Sequence, residues 1–192
     1  DYFLMLGANP MASNGSLMTV PGIPRRLKAL TARGKLVGVD PRRTETAEWA
    51  DIHLQIRPGT AGALALGVHH SMFANGWQDQ AFLDEWANGL DAFRDYIREF
   101  TPSRVAEICG IQEADLRAAV EMFATALPSQ IAMSPTSTVQ HSNGFQNHRA
   151  MILLSAVLGM IDREGGNRFF NDKVLPKPIE LFDVCVKELP PR

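Results

Sequence analysis

Along the first sixty residues the apolar positions switch between two periodicities. Residues 2–6 (YFLML) form an unbroken apolar run that stops at Gly7, the pattern of a strand buried on both faces. Ile23, Leu27 and Leu30 then recur at i, i+4 and i+7, while Arg25, Arg26 and Lys28 fall off that stripe. This predicts an amphipathic helix, closed at Gly34. Residues 35–39 (KLVGV) return to the strand pattern, and residues 52–56 (IHLQI) predict a third strand. Strand, helix and strand in close succession form a βαβ unit, whose two strands are parallel and whose crossover is right-handed.

Thr60 is the predicted N-cap of a helix running through Gly62, Leu64, Val68 and Met72. From residue 75 to 110 the chain turns more polar, with aromatics at Trp77, Phe82, Trp86, Phe93, Tyr96 and Phe100, and predicts short helices that leave the sheet. Leu116, Ala119, Val120, Phe123 and Leu127 mark a further amphipathic helix, stopped by Pro128. Residues 130–133 predict a strand and residues 146–161 a largely buried helix. Past Gly166, Pro176, Pro178, Pro190 and Pro191 predict an extended, irregular tail. The sum is an α/β fold: a Rossmann-like, mostly parallel sheet flanked by helices over residues 1–170, with a helical insert at about 76–127 and a tail at 171–192. Trp49, Trp77, Trp86 and the methionines are assigned to the core.

Composition narrows the classes. The 192 residues are enough for one domain with a real core. A net charge of −2 offers no basic field for nucleic acid. Cys109 and Cys185 lie far apart without a C-x-x-C motif, which argues against a zinc site, a cluster site or a disulfide framework within these residues. The longest apolar run, residues 150–161, is interrupted by Ser155 and Gly159 and is shorter than the roughly 20 residues of a membrane span. No leader is visible, and no compartment is assigned. His53, His69 and His70 show no ligand spacing, and Glu45, Glu48 and Asp51 read as a charged turn face rather than paired catalytic acids.

The chemistry gathers at predicted strand ends. Asp40 closes the strand at residues 35–39 and is followed by Pro41, Arg42 and Arg43. An acceptor-only carboxylate at that edge suits a ribose diol or the N1–H and N2–H₂ edge of guanine. The arginines suit a pyrophosphate, or a pairing with Asp40 itself. A surface Asp-Pro turn with solvated arginines is the plain alternative. Gly7-Ala8-Asn9-Pro10 follows the first strand, where Gly7 lets the backbone approach a phosphate and Asn9 supplies donors and acceptors; by itself it is equally a turn. Pro58-Gly59-Thr60 places N–H groups at a helix N-terminus, a natural anion binder. Residues 136–144 form a polar loop after a buried strand, with Gln140 and His141 at its centre. His141 is either a proton relay or an ordinary loop histidine.

Four blocks occur in one order: GANP…S at residues 7–13, DPRRTETAEWAD at 40–51, PGT at 58–60, and STVQHSNG with LGMIDREGG at 137–166. In this the chain resembles molybdopterin oxidoreductases of the dimethyl-sulfoxide-reductase superfamily. The resemblance implies a bis-molybdopterin guanine dinucleotide cofactor carrying molybdenum or tungsten. It implies cofactor contacts at Gly7, Asn9, Pro10, Ser13, Asp40, Pro41, Arg42, Pro58, Gly59, Thr60, Thr136 and Gln140, with Thr136 and Gln140 nearer the pterin and no metal ligand among these residues. Family members commonly carry an acid or amide after the PGT turn, where this chain has Ala61. The resemblance further implies an internal fragment of a larger catalytic subunit. A [4Fe-4S] cluster is expected elsewhere in that parent and is not bound by this segment. Its partners would be the remaining domains and an iron–sulfur electron-transfer subunit. The superfamily also includes a non-redox hydratase, and a nucleotide-binding module without catalytic metal is the reading from another class.

Overall fold

The computed structural model describes residues 2–15, 20–133 and 135–168. The predicted tail at residues 171–192 and Cys185 lie outside the described residues, as does the side chain of Thr136. Four strands, β1 (Tyr2–Leu6), β2 (Lys35–Val39), β3 (Ile52–Leu54) and β4 (Ser129–Met133), form one sheet in the order β3-β2-β1-β4. Every pairing is parallel: Leu4 stands opposite Val37 on one side and Ile131 on the other. The chain is thus α/β, with helices flanking a parallel sheet.

Strand alternation sorts the core into two layers. Tyr2, Leu4 and Leu6 of β1, with Val37 and Val39 of β2, face a large cluster completed by Leu64, Val68, Met72, Phe123, Met151 and Leu154. These partners come from α3 (Ala61–Ala74), α7 (Glu113–Thr125) and α9 (Gly144–Val157). Met5 and Leu36 face the other way, onto Ile23 and Leu27 of α2 (Ile23–Thr31). Tyr2 is buried against Phe123, ring centroids 5.5 Å apart, and its hydroxyl donates to the Ala119 carbonyl at 3.2 Å. Burial drives that phenol's pKa far above its ordinary value.

Between α3 and α7 the chain forms α4 (Gln80–Trp86), α5 (Leu90–Ile97) and α6 (Pro102–Cys109). α5 and α6 pack on α3, α6 by placing Val105 against Gly67, while α4 packs on α9. Short helices also follow β1 and β4: α1 (Pro10–Ser13) and α8 (Pro135–Thr138). Among the described residues no helix is long and apolar enough to cross a membrane.

Several boundaries depart from the sequence pattern. β3 stops at Leu54, because Ile56 turns back to donate its N–H to the Leu54 carbonyl (3.0 Å). α2 ends at Thr31 and Gly34 takes no left-handed cap, its N–H closing instead on Leu30 (2.8 Å). The last helix ends at Val157, not residue 161, because Gly159 adopts φ +62° and a side chain there would run into Asp79. The polar loop after β4 begins with the helical turn α8. Trp86, assigned to the core, is 67% exposed at the end of α4. Asp51 is more than a turn charge: its Oδ2 accepts the Leu36 N–H (2.9 Å) and its Oδ1 pairs with Lys35 (2.8 Å). Partial burial raises its pKa, but these hydrogen bonds and the Lys35 charge outweigh that and hold it below the usual value.

The open edge of β4 is met by a side chain. Asn167 Nδ2 donates to the Ile131 carbonyl (2.9 Å), and its Oδ1 accepts from the Ile131 N–H (3.1 Å) and Ser155 Oγ (3.1 Å). One amide therefore imitates a neighbouring strand at one residue. Asn167→Ala strands three polar groups, and we predict a loss of roughly 2 kcal/mol, or about 5 °C in Tm for a domain of this size. A melting curve superposable on the wild type would refute the role.

His69, on α3, is fully buried and joins α3 to α9, its Nε2 donating to the Ala150 carbonyl at 3.0 Å. Its ring stands edge-on to Phe93 and its Nδ1 has no partner among the described residues. Burial lowers its pKa from 6.5 to about 4, against the smaller opposing pull of that carbonyl. A folded pKa below the unfolded one means stability is full above pH 6.5. It is lost as pH falls towards 4, where the unfolded chain takes up a proton that the native state refuses. We predict that between pH 7.5 and 4.5 the wild type loses roughly 2–3 kcal/mol more urea stability than His69→Leu. Parallel pH profiles for the two proteins would show that His69 does not carry this dependence.

Candidate functional site

Strand order runs outward through β1, β2 and β3, then jumps back to place β4 on the far side of β1. A crevice outside the carboxyl ends of the strands belongs at that reversal. The segments singled out in the sequence all emerge along this edge: residues 7–13 after β1, 40–51 after β2, 58–60 after β3 and 136–144 after β4.

Gly7 has φ +64° and donates its N–H to Val39 (2.8 Å), extending the ladder by one rung. A Cβ at this position would collide with the Ser137 side chain, so the loops after β1 and β4 touch at the reversal point. The Asn9 side chain faces the β2 loop: its Oδ1 accepts from Thr46 Oγ1 (2.6 Å) and its Nδ2 donates to Glu45 (3.3 Å). Thr46 Oγ1 in turn accepts the Met11 N–H (3.1 Å). Both ends of the Asn9 amide are thus held by protein partners, and Asn9 fastens two loops together. Glu45, fully exposed, is held below the usual carboxylate range by its own backbone N–H and then by Asn9. Pro10 is buried at the start of α1, and Ser13 is exposed, its hydroxyl donating to the Asn9 carbonyl (3.2 Å). A recess of about 460 Å³ lies here, bordered by Asn9, Ala12, Arg42, Arg43 and Glu48.

Asp40 Oδ1 accepts the N–H of Arg42 at 2.8 Å. The carboxylate is therefore held by backbone, not by either guanidinium, and its Oδ2 has no partner among the described residues. Pro41, Arg42 and Arg43 are exposed. The turn is pinned from β3 and the residue after it: His53 Nε2 lies 3.0 Å from the Asp40 carbonyl, and Gln55 Nε2 donates to Pro41 O at 2.9 Å. Alternate positions of a strand place His53 and Gln55 on one side, which was the available signal for this role.

Pro58 and Gly59 are exposed, and Gly59 has φ +83°. Thr60 occupies the N-cap position of α3, but its hydroxyl turns back to the Arg57 carbonyl (2.7 Å) and makes no cap. Leu64 is the first α3 residue to bond backward, to Thr60 O (3.0 Å). The N–H groups of Ala61, Gly62 and Ala63 therefore have no acceptor among the described residues, an arrangement receptive to anions.

Asn147, which sequence reasoning missed, ties the last loop to this turn. It is 2% exposed, accepts from Asn143 Nδ2 (3.2 Å), lies 3.4 Å from His141 Nε2, and packs so closely on α3 that Gly62 has no room for a Cβ. Among its polar neighbours Gln146, His148 and Arg149, nothing in the sequence sets it apart. His148, likewise passed over, places Nδ1 2.7 Å from Thr138 Oγ1. Gln140 and His141 are exposed. A second recess of about 540 Å³ opens beside the first turn of α3, between Tyr96 and Phe100 on one wall and Gln146 and Arg149 on the other.

Comparison with known proteins bears on the family and the fold. The sequence model of the family described as "Molybdopterin oxidoreductase" matches residues 1–181. A probable oxidoreductase, YoaE, of Bacillus subtilis (strain 168) is 30% identical over 164 residues, 85% of this chain and 23% of that protein. The acetylene hydratase of Syntrophotalea acetylenica is 38% identical over 134 residues, 69% of this chain and 18% of that protein. Among solved structures, acetylene hydratase from Pelobacter acetylenicus superposes with a TM-score of 0.72 at 34% identity, covering 82% of this chain and 21% of that one. The chain spans about a fifth of the length of the curated relatives it matches. With a family match over nearly its whole length, the chain belongs to the molybdopterin oxidoreductases.

Proposed function

We propose that this chain is the part of a molybdenum or tungsten bis-molybdopterin enzyme that holds the guanine-dinucleotide arm of the cofactor. The observation that carries this reading is the pairing, along one sheet edge, of a carboxylate with an uncommitted oxygen and a helix start with uncommitted N–H groups. Asp40 Oδ2 suits a ribose diol or the donor edge of guanine. The α3 N-terminus behind Pro58, Gly59 and Thr60, together with the exposed Arg42, suits the diphosphate. Gly7 and Pro10 keep the first loop close to the sheet, while Asn9, Ser13 and Pro41 shape the pocket through the contacts described above. Ala61 contributes no side-chain contact to a base, so recognition there falls to backbone N–H groups. Thr136 and Gln140, after β4, are assigned to the pterin side.

Such a cofactor supplies two-electron or oxygen-atom chemistry at its metal, and the protein supplies binding, orientation and electrostatics. The reading extends to a longer parent subunit with a [4Fe-4S] cluster bound outside this segment, and to an iron–sulfur protein as electron partner. A second reading keeps the cofactor role and replaces the redox reaction by hydration; the 38% identity to an acetylene hydratase favours it. A redox assay of the whole protein with artificial electron carriers separates the two. A whole protein that carries neither metal nor pterin would instead point to a nucleotide-binding module.

In the whole protein, Asp40→Ala is predicted to lower cofactor occupancy while leaving each loaded molecule nearly as active. A hydrogen bond involving a charged group contributes roughly 1.5–3 kcal/mol, about a tenfold to hundredfold loss of affinity. Asp40→Asn is predicted to be mild if the partner is a ribose hydroxyl and nearly as damaging as alanine if it is guanine. Molybdenum and guanine nucleotide per chain are the measurements, and full occupancy in both variants would refute the assignment. Gln140→Ala is predicted to do the reverse, reducing turnover per bound metal more than metal content; unchanged turnover per metal would remove Gln140 from the pterin.

A further inference from the structure

α3 and α6 lie antiparallel, since Val105 meets Gly67 while Cys109, four residues later, places Sγ 3.7 Å from the Thr60 carbonyl. The carboxyl end of α6 therefore stands beside the first turn of α3. A helix ends in unsatisfied carbonyls and carries the negative end of its dipole there. Left bare, that end would oppose any anion approaching Ala61, Gly62 and Ala63.

Arg57 covers it. One guanidinium nitrogen, Nη1, donates to the carbonyls of Glu107 (2.9 Å) and Ile108 (3.3 Å), and the Arg57 backbone N–H donates to Cys109 (2.8 Å). The side chain lies flat across Gly110, where a Cβ would sit 2.9 Å from Nε. In the opposite direction, the Arg57 carbonyl accepts both the N–H (3.3 Å) and the hydroxyl (2.7 Å) of Thr60. One residue thus grips the end of α6 with its donors and the 58–60 turn with its acceptor.

We propose that Arg57 is a positioning residue for anion binding at this turn, holding it rigid against α6 and cancelling the negative end of that helix, so that a helical segment outside the sheet sets the site's affinity for a diphosphate. This rests on the reading that the 58–60 turn receives the nucleotide arm. The charge and the fork of donors act separately: lysine keeps the first, glutamine keeps a donor without the charge.

The test uses GDP and guanosine as probes, titrated calorimetrically against the full chain as wild type, Arg57→Ala, Arg57→Gln and Arg57→Lys, each first shown to be folded by its melting curve. Amide exchange at residues 58–63 is followed in parallel. Loss of the charge is expected to weaken GDP about five- to tenfold in Arg57→Ala and Arg57→Gln while leaving guanosine within about twofold. That deficit should shrink at high salt, Arg57→Lys should recover most of it, and exchange at 58–63 should quicken in Arg57→Ala. Equal losses for GDP and guanosine would reduce Arg57 to a packing residue and overturn the proposal. So would wild-type GDP affinity in the alanine and glutamine variants. A wild-type chain that binds neither probe would instead refute the nucleotide reading on which the proposal stands.

Discussion

β1 pairs in parallel with β2 on one side and β4 on the other, and its side chains pack into apolar layers on both faces. A parallel ladder obliges each connection to cross back over the sheet before the next strand begins, so every loop that follows a strand emerges at the same edge. The reversal of strand order between β1 and β4 opens that edge at one point. The glycine after β1, the aspartate after β2, the turn after β3 and the polar loop after β4 are neighbours for this reason, although the first and last are some 130 residues apart.

What holds these loops in register is a set of polar side chains that hydrogen-bond to, or pack closely against, an adjacent segment. Asn9 and Thr46 join the first to the second, His53 and Gln55 brace the second from the third, and Asn147 draws the fourth onto α3. These contacts consume the groups that make them. Among the described residues, Asp40 Oδ2, the guanidinium of Arg42 and the N–H groups at the start of α3 are left over, and these are the groups proposed to recognise a ligand. Their chemistry is complementary to a nucleotide: an acceptor for hydroxyls or a base edge, and donors for a diphosphate. Position in a block thus does not decide a residue's role, since Asn9 and Asp40 sit in equally recognisable blocks and only one keeps an uncommitted polar atom.

The helices between α3 and α7 are tied to the same edge through α6, whose carboxyl end reaches the start of α3. A cluster of carbonyls and a cluster of N–H groups placed side by side would weaken each other's fields in any ligand's view, and a guanidinium bonded to the carbonyls reduces that conflict.

The pattern of the apolar residues by itself determined the α/β class, the strands at residues 2–6 and 35–39 and the helices at α3 and α7, because a strand buried on both faces leaves an unbroken apolar run and a helix packed on a core leaves apolar residues three and four apart. Block order was enough for the family, and Asp40 stood out because a carboxylate at the end of an apolar strand has few structural uses. Tertiary structure alone decided where helices stopped, as at Gly159 against Asp79, and that Trp86 faces outward. It alone revealed Asn147, Asn167 and Arg57, each of which reaches a partner far along the chain: Gly62, Ile131 and Glu107 respectively. A hydrogen bond between distant residues leaves no period along the chain: it depends on which surfaces the packed core brings within 3 Å, and that is fixed only once the layers have closed.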